Sequence, residues 1–305
     1  MPSGILLLNK PEGYTSHDAV NLVRRAFGTR QVGHTGTLDP MATGLLIVLV
    51  GRAVKASEEL TAHSKKYRAK IRFGVETDTG DSTGNIISAS GEHPDPEELA
   101  KAVSSFIGET EQLPPMYSAV KIGGKKLYEL ARQGKSVDRT PRKITVFSLG
   151  CEPTGDPFEY ALDVECSSGT YIRTLCEDIG KKTGCGAVMS ALQRTAVGAF
   201  GIESAVSPKD LEAAAAEGKA ADLLVPLEYA FTDLPACRLN AFHEKLIRNG
   251  CAVDKEKLKY ALGVSSDGES DKFRLYSADG LFFGLGETVQ SETGPAIKAR
   301  KLFVL

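Results

Sequence analysis

The sequence predicts a mixed α/β (α+β) protein that ends in a small β-rich domain. Apolar residues recur at helical spacing in some segments and alternate with polar residues in others, so helices and strands are both expected. The chain has 305 residues, more than a single core usually holds. We expect a large domain over residues 1–230 and a smaller, β-rich one over residues 236–305.

Local start and stop signals support the predicted helices. Thr15 or Ser16 can cap the first helix, and Gly28 can end it. Asp95 is placed to cap the second helix, with Pro96 in its first turn. Helices are predicted over residues 15–28, 95–108, 172–179, 211–224 and 242–248.

Strands are predicted where residues alternate in polarity or form a short apolar run. A polar turn is predicted at 77–84, after the strand-like segment 65–74. The basic, Gly-rich segment 113–143 has the composition of an insertion or lid. The strand-like segments are 4–11, 45–50, 65–74, 159–166 and two runs around Asp279 within 273–289.

Bulk composition favours a soluble, cytoplasmic protein. The longest apolar run, Leu45 to Val50, is too short for a membrane span, and the N-terminus lacks the features of a signal peptide. The six cysteines form no Cys-x-x-Cys pair and have no histidine at zinc-finger spacing. They are therefore expected to be reduced, and no metal site is predicted.

Charge is segregated along the chain, although the net charge is only −2. Residues 121–143 contain eight Lys or Arg and two acidic residues. Among residues 201–235, by contrast, most of the charged residues are acidic. A positive face can bind a polyanion on a protein that is neutral overall. A basic segment can equally be a solvated surface, so the charge pattern alone leaves both interpretations open.

A loop rich in Gly and Thr, residues 33–44, precedes the apolar run and contains the pair Asp39-Pro40. The loop lacks the Lys of a phosphate-binding Walker motif. Its glycines precede a strand instead of joining a strand to a helix, which argues against a dinucleotide site. Asp-Pro pairs often only start turns. Alternatively, Pro40 restricts the backbone of Asp39 and thereby aims a catalytic carboxylate, for which Arg173 is a candidate cationic partner.

Several stretches together resemble the TruB-type tRNA pseudouridine-55 synthases. "GHTGTLDPMATGLL" is similar to the signature of that family, and "LLLNKPEGYTSHDAV" to its N-terminal motif. Further stretches resemble its second motif, its RNA-gripping thumb insertion and its third motif; they are "KKYRAKIRFGVETDTGDSTG", "PPMYSAVKIGGKKLYELARQG" and "CSSGTYIRTLCEDIG". The C-terminal part resembles a PUA-like RNA-binding module more weakly.

The resemblance implies a pseudouridine synthase fold with a largely antiparallel, mixed central sheet flanked by helices. It also implies isomerisation of uridine 55 in the T-loop of tRNA, without metal or organic cofactor. Asp39 resembles the nucleophile, Arg173 its paired cation, and Tyr67 the ring that stacks on uracil and assists its proton transfer. Further substrate-contacting positions of the family correspond to Tyr171, Leu192 and His34.

The basic segment then has a role against RNA phosphates. The residues expected to contact the RNA backbone are Lys121, Lys125, Lys126, Arg132 and Arg142, in a thumb-like insertion at about 113–143. The expected partner is the tRNA T-stem-loop. The resemblance implies neither an obligate protein partner nor a membrane, and the protein is expected to be a monomer.

Alternative functions remain open at the level of the sequence. One is a non-catalytic RNA-binding or tRNA-folding protein, which would need the basic segment but not Asp39. Another is a pseudouridine synthase with a different RNA target. A more distant one is a phosphate-ester hydrolase that uses Asp39, Asp78 and Asp81 around a metal ion.

Overall fold

The structure, a computed structural model, describes residues 2–135, 137–258 and 271–303. Strands and helices alternate in the first part of the chain. They are β1 (Gly4–Lys10), α1 (Ser16–Phe27), β2 (Val32–His34), β3 (Thr43–Val50), α2 (Ser57–Thr61), β4 (Lys65–Phe73), β5 (Val75–Thr77), β6 (Ile86–Ala89), α3 (Pro96–Ser104) and β7 (Gly108–Gln112).

The basic insertion follows, and then the second half of the large sheet. The insertion contains β8 (Lys121–Ile122), β9 (Lys125–Lys126) and α4 (Leu127–Ala131). After it come β10 (Arg142–Pro153), β11 (Glu159–Cys166), α5 (Ile172–Lys182), β12 (Ala187–Val197), β13 (Phe200–Gly201) and α6 (Pro208–Ala216). The C-terminal part holds β14 (Ala236–Arg238), α7 (Ala241–Arg248), β15 (Val253–Asp254), α8 (Lys255–Leu258), β16 (Lys272–Tyr276), β17 (Phe282–Ser291) and β18 (Gly294–Leu302).

Within the described residues, nine strands form a mixed central sheet. Seven of them follow the order β1-β3-β12-β4-β11-β10-β7, while β2 pairs with β3 and β13 with β12. Neighbouring strands are antiparallel except β3 and β12, which run parallel. The predicted α+β class and its largely antiparallel sheet are therefore confirmed.

Strand β3 is buried on both faces, which explains its unbroken apolar sequence. Leu46, Val48 and Val50 join the main core, where α1, α3 and α5 pack on the sheet. The alternate residues Leu45, Ile47 and Leu49 join a second core that includes Phe231, Leu285 and Phe303. The chain is therefore firmly fixed where the loop that carries Asp39 ends.

Strand β4 is buried on one face only. Its exposed basic residues form ion pairs with acids on or just before β11, for example Arg68 with Asp163 at 3.2 Å and Lys70 with Glu159 at 2.8 Å. The opposite face of β4 carries Tyr67 and Ala69 into the core side of the sheet. The alternation in the sequence therefore corresponds to one polar and one packed face.

Helix caps follow the predicted signals. Thr15 and Asp18 form a reciprocal capping box at the start of α1, and Gly28 ends the helix with a φ of 60°. Asp95 accepts hydrogen bonds from the amides of Glu97 and Glu98 at the start of α3. These local interactions fix both helix starts.

Two predicted helix ends are wrong. Helix α3 ends at Ser104, because the chain turns there and Gly108 already begins β7. The Ala-rich helix predicted over 211–224 begins at Pro208 and ends at Ala216, since Gly218 adopts a φ of 74°; a separate 3₁₀ turn covers Ala220–Leu223. Ala content extended the predicted helix past a glycine that stops it.

The C-terminal strands form a separate sheet in the order β14-β16-β17-β18-β15. Its small core includes Cys237, Leu275, Phe283 and Ile297. The turn between β16 and β17 lies at Asp279-Gly280, as the sequence indicated, and Gly280 has a φ of 78°. In the described ranges, no helix is both long and apolar enough to traverse a bilayer.

Gly44 is expected to be essential for the packing of β3 on β12. It has a φ of 100°, and an added Cβ would clash with the main chain of Arg194, its neighbour in the sheet. Gly44→Ala should therefore lower the free energy of unfolding by the cost of the unfavourable φ plus about 1–3 kcal/mol of overpacking.

Gly108→Ala is the matched control, because Gly108 has a similar φ of 109° but open space around its Cα. Chemical denaturation of both variants measures the difference. Equal destabilisation would contradict the proposed clash.

Candidate active site

The Asp39 carboxylate and the Arg173 guanidinium form a two-bond ion pair. Asp39 Oδ2 lies 3.0 Å from Arg173 Nε, and Oδ1 lies 3.2 Å from Nη2. The arginine side chain is 6% exposed, whereas the aspartate side chain is 33% exposed. A planar guanidinium thus orients the carboxylate while leaving part of it open to a ligand.

The loop that carries Asp39 is fixed by bonds from the N-terminal elements. The Ser16 hydroxyl donates to the Leu38 carbonyl at 3.1 Å and accepts from the Leu38 amide at 2.8 Å. Lys10 is buried, and its Nζ donates to the carbonyl of Pro40 at 3.3 Å and to those of Pro11 and Tyr14. Asp39 is therefore held in place by main-chain contacts on both sides.

Burial lowers the pKa of Lys10 to about 8, while the nearby Asp39 charge opposes that change. Lys10 is thus a second cation near the carboxylate, although its own donors are directed at carbonyl oxygens.

Arg173 is the second residue of α5, and the start of that helix is fixed by Gln112. The buried Gln112 side chain accepts from the Tyr171 amide at 2.8 Å and donates to the Tyr171 carbonyl at 3.1 Å. Tyr171 is the N-cap residue of α5 and has no side-chain cap bond. The glutamine therefore holds the N-cap residue itself, through both of its main-chain groups.

Arg173 also binds two carbonyls from other segments. Its Nη1 donates to Thr79 at 3.1 Å, and its Nη2 donates to Tyr117 at 2.8 Å. Thr79 belongs to the polar turn after β5, and Tyr117 to the beginning of the basic insertion. One buried side chain thus connects the Asp39 loop, the polar turn and the insertion.

A second carboxylate, Asp81, faces the same guanidinium at 3.9 Å. It is buried and accepts bonds from the Thr79 hydroxyl and from the amide and hydroxyl of Thr83. Asp78 instead accepts from the amide and side chain of Asn85. In the part of the chain that the structure describes, no cluster of three or more His, Cys, Asp or Glu could hold a metal ion. Within the described residues, Asp39, Asp78 and Asp81 thus do not form such a cluster.

The pKa of the Asp39 carboxyl is raised, chiefly because burial removes water from its charged form. The charges of Arg173 and Lys10 act in the opposite direction, and the charge of Asp81 adds to the increase. The ionised form thus depends on the pairing with Arg173.

Tyr67 lies close enough to Asp39 for the two groups to interact electrostatically. Burial is the main cause of its raised pKa, and the Asp39 charge contributes in the same direction. Tyr67 is the direct partner of Arg194 across β4 and β12, and Leu192 is the partner of Ala69 at the next position on the same face. The structure therefore brings Asp39, Arg173 and Tyr67 together, with Leu192 nearby.

His34 is the last residue of β2, and its Nδ1 accepts from the Gly36 amide at 3.3 Å. Burial, together with the charge of Arg194, lowers its pKa, so the ring is neutral at pH 7. Tyr171 is half-buried at the start of α5, two residues before Arg173. Both side chains belong to segments that carry the central pair.

The predicted phosphate-contacting residues lie in and beside the insertion. Lys126 and Arg132 lie over the ring of Tyr128, at 5.3 and 5.5 Å from its centroid. The remaining positions are Lys121 in β8, Lys125 in β9 and Arg142 as the first residue of β10. Arg142 thus lies in the central sheet, at the base of the insertion.

Sequence reasoning missed four residues of this site: Lys10, Asp81 in its contact with Arg173, Gln112 and Arg194. Each is a polar side chain with less than a tenth of its surface exposed. Lys10 comes one residue after the buried apolar run "ILLL", and this position at the end of a buried strand was a sequence signal for a buried lysine. Gln112 and Arg194 bond to main-chain groups of distant segments, and no local pattern indicates such contacts.

Comparison with protein families assigns most of the chain. The family model described as the TruB family pseudouridylate synthase N-terminal domain matches residues 24–172. The model described as the tRNA pseudouridylate synthase B C-terminal domain matches residues 173–232. The two matches meet at the start of α5, beside Arg173.

Several curated proteins are similar over most of their length. The chain is 39% identical over 302 residues to the tRNA pseudouridine synthase B of Dehalococcoides mccartyi strain CBDB1, covering 99% of this chain and 96% of that protein. It is 40% identical over 304 residues to the protein of the same name from Caldanaerobacter subterraneus, covering 98% and 99%. The Alkaliphilus oremlandii protein is 44% identical over 248 residues, covering 81% and 82%.

Solved structures support the fold. A chain in the structure of an H/ACA RNP bound to a substrate RNA containing 2′-deoxyuridine superposes with a TM-score of 0.73 at 20% identity, covering 99% of this chain and 85% of that one. A chain of a Cbf5-Nop10-Gar1 complex gives 0.72 at 23% identity, covering 99% and 85%. With the family matches over residues 24–232 and relatives of about 40% identity over the whole chain, the protein belongs to the TruB family of pseudouridylate synthases, which are isomerases.

Proposed function

We propose that the chain converts uridine 55 in the T-loop of tRNA into pseudouridine, with Asp39 as the nucleophile. The N1–C1′ bond breaks, the base rotates, and a C5–C1′ bond forms. C5 loses its proton and N1 gains one, so the reaction has no net change in atoms or electrons and needs no cofactor. The observation that carries this proposal is the partly open Asp39 carboxylate, held by the buried Arg173 beside Tyr67. The names of the relatives support tRNA as the substrate.

Asp39 acts in its ionised form. Arg173 and Lys10 favour the carboxylate against the effect of burial, and 33% of the Asp39 side chain stays exposed while Arg173 holds it. The carboxylate can attack C6 of uracil or C1′ of the ribose, or it can assist removal of a sugar proton. All three routes need the same charged oxygen next to one nucleoside.

The target uridine has to leave its stacked loop, at a cost of a few kcal/mol. In the proposed complex, the Tyr67 ring stacks on uracil and assists the transfer of its proton. Tyr171 and Leu192 form further walls of the pocket, and the neutral His34 ring contacts nucleotides that leave the loop. Stacking of this kind is worth about 1–3 kcal/mol per base and so offsets the cost of flipping.

The basic insertion grips the RNA backbone. Lys121, Lys125, Lys126, Arg132 and Arg142 supply positive charge along one connected segment, whereas the protein as a whole has a net charge of −2. An RNA loop is the expected target, because the base edges of A-form helices are poorly accessible. The Tyr117 carbonyl joins this insertion directly to Arg173.

We assign residues 1–230 to the catalytic domain, with a thumb over about 113–143, and residues 236–305 to a PUA-like RNA-binding domain. The separate C-terminal sheet and its own small core support this division. tRNA is the partner that the activity requires. We expect a monomer that acts in the cytoplasm.

Asp39→Asn is expected to reduce pseudouridine formation by more than about a thousandfold, because the amide cannot act as a nucleophile. The measurement is tritium release from tRNA labelled at C5 of uridine, with mapping of the modified position. Binding of tRNA should change by less than about threefold. Asp163→Asn, at an exposed ion pair on β11, is the matched control.

Retained turnover in Asp39→Asn would refute the nucleophile assignment. Pseudouridine at another position in wild-type reactions would indicate a different RNA target. Tight tRNA binding without any pseudouridine in wild type would instead identify a non-catalytic RNA-binding or RNA-folding protein.

Asp81→Asn is expected to lower the pKa of the Asp39 carboxyl. The substitution removes a negative charge that raises this pKa, and it leaves Arg173 to pair with Asp39 alone. More of Asp39 is then ionised at a given acidic pH. Titration of the Asp39 carboxyl carbon by NMR measures the change, with Asp156→Asn at the exposed pair with Arg72 as control. An unchanged or higher pKa would show that Asp81 does not act on Asp39 electrostatically.

Lys125→Glu is expected to weaken tRNA binding several-fold at low salt and to reduce the slope of log K against log salt by about 1. The difference from wild type should shrink as the salt concentration rises. Lys209→Glu, an exposed position in the acidic region at the start of α6, controls for the change in net charge. An equal loss of affinity in both variants would argue against a specific contact by the insertion.

A further inference from the structure

Arg194 is a buried cation in the centre of the large sheet, and only 2% of its surface is exposed. Its Nε donates to the Leu45 carbonyl at 2.7 Å, and its Nη2 donates to the Gly36 carbonyl at 3.1 Å. Both acceptors are neutral main-chain groups. Burying a charge against neutral acceptors is costly, so the position needs a reason beyond filling space.

Its place in the sheet connects the two segments that carry Tyr67 and Asp39. In β12 it pairs with Tyr67 of the neighbouring β4 and with Gly44 at the start of β3. Its guanidinium reaches Gly36, which lies three residues before Asp39 in the loop. The Arg194 side chain therefore reaches from a position beside Tyr67 in the sheet to the loop that carries Asp39.

Arg194 and Tyr67 are direct partners across β12 and β4, so their side chains lie on the same face of the sheet. Burial raises the pKa of this phenol most strongly, while the charge and hydrogen bonding of Arg194 oppose that increase. An arginine has donors only, so in a hydrogen bond between these two side chains the phenol oxygen would be the acceptor. The single hydroxyl proton of Tyr67 would then be left for another acceptor.

We propose that Arg194 is a positioning residue, which fixes the Tyr67 hydroxyl and the Asp39 loop relative to each other so that both meet the same nucleoside. It touches neither the substrate nor the reacting atoms, and it acts through Tyr67 and Gly36. This inference rests on the proposed function, because it assigns Tyr67 to the reacting uridine.

The test uses Arg194→Lys, Arg194→Met, Tyr67→Phe and the double variant Tyr67→Phe/Arg194→Lys. The single-turnover rate of pseudouridine formation at saturating tRNA should fall about 10- to 100-fold in Arg194→Lys, while the dissociation constant for tRNA changes less than about threefold. In the Tyr67→Phe background the same substitution should cost at least fivefold less, since the hydroxyl it acts on is absent. Arg68→Lys, next to Tyr67 but on the exposed face of β4, is the matched control.

A second measurement does not depend on activity. In protein labelled with ¹³C at the phenol carbon of tyrosine, the Tyr67 resonance should shift in Arg194→Lys and Arg194→Met but not in Arg68→Lys. If Arg194→Met does not fold, Arg194→Lys alone decides, because it keeps the charge and can still donate to one carbonyl.

Equal rate losses from Arg194→Lys in the wild-type and Tyr67→Phe backgrounds would overturn the proposal, as would an unmoved Tyr67 resonance. A rate loss that accompanies an equal loss of tRNA affinity would also overturn it, since that result indicates a general structural role. The wild-type protein could form no pseudouridine while the Tyr67 resonance shifts in the Arg194 variants as expected. That result would refute the proposed function but would establish the Arg194–Tyr67 contact.

Discussion

The pairing of Asp39 with Arg173 is the constraint on which the rest of the site depends. The two residues are 134 positions apart in the chain, and they meet because the loop before β3 and the start of α5 lie at the same place in the fold. The arginine is buried, so its charge requires a partner. Gln112 fixes the helix start on one side, and Lys10 and Ser16 fix the loop on the other.

Burial of β3 on both faces gives this arrangement its rigidity. Alternate residues of the strand pack into different cores. A shift by one residue would therefore move every side chain into the other core, where it does not fit its neighbours. The close approach of Gly44 to Arg194 further fixes the end of the loop. A carboxylate next to such a strand is aimed by the scaffold, and it needs little adjustment when a ligand arrives.

The sequence predicted most elements, because their signals are local. Periodicity located β4 and β11, and the caps Thr15 and Asp95 located two helix starts. The Asp39-Pro40 pair and Arg173 could be proposed as partners, and the structure contains their ion pair, while their catalytic roles stay predictions.

The remaining contacts of the site could not be read from the sequence. Gln112 and Arg194 act by bonding main-chain groups 59 and more than 100 residues away, and a main-chain acceptor has no residue type that a motif could reveal. In the sequence, Asp81 was a candidate metal ligand only because it is an acidic residue. In the structure it faces the guanidinium of Arg173. The helices end at Ser104 and Ala216, before the predicted ends at 108 and 224, because turns formed by local main-chain hydrogen bonds begin there.

The base of the insertion has a consequence for how this protein can diversify. Gln112 and Arg142 are direct partners in the ladder between β7 and β10, so the chain leaves the sheet and returns to it at one point. The intervening segment can change length or composition without altering strand register, much as the tip of a hairpin can. The Tyr117 carbonyl and the Gln112 side chain limit this variation, because both contact residues at the start of α5. The tip of the insertion is thus free to vary, while the contacts at its base keep Arg173 and the start of α5 in place.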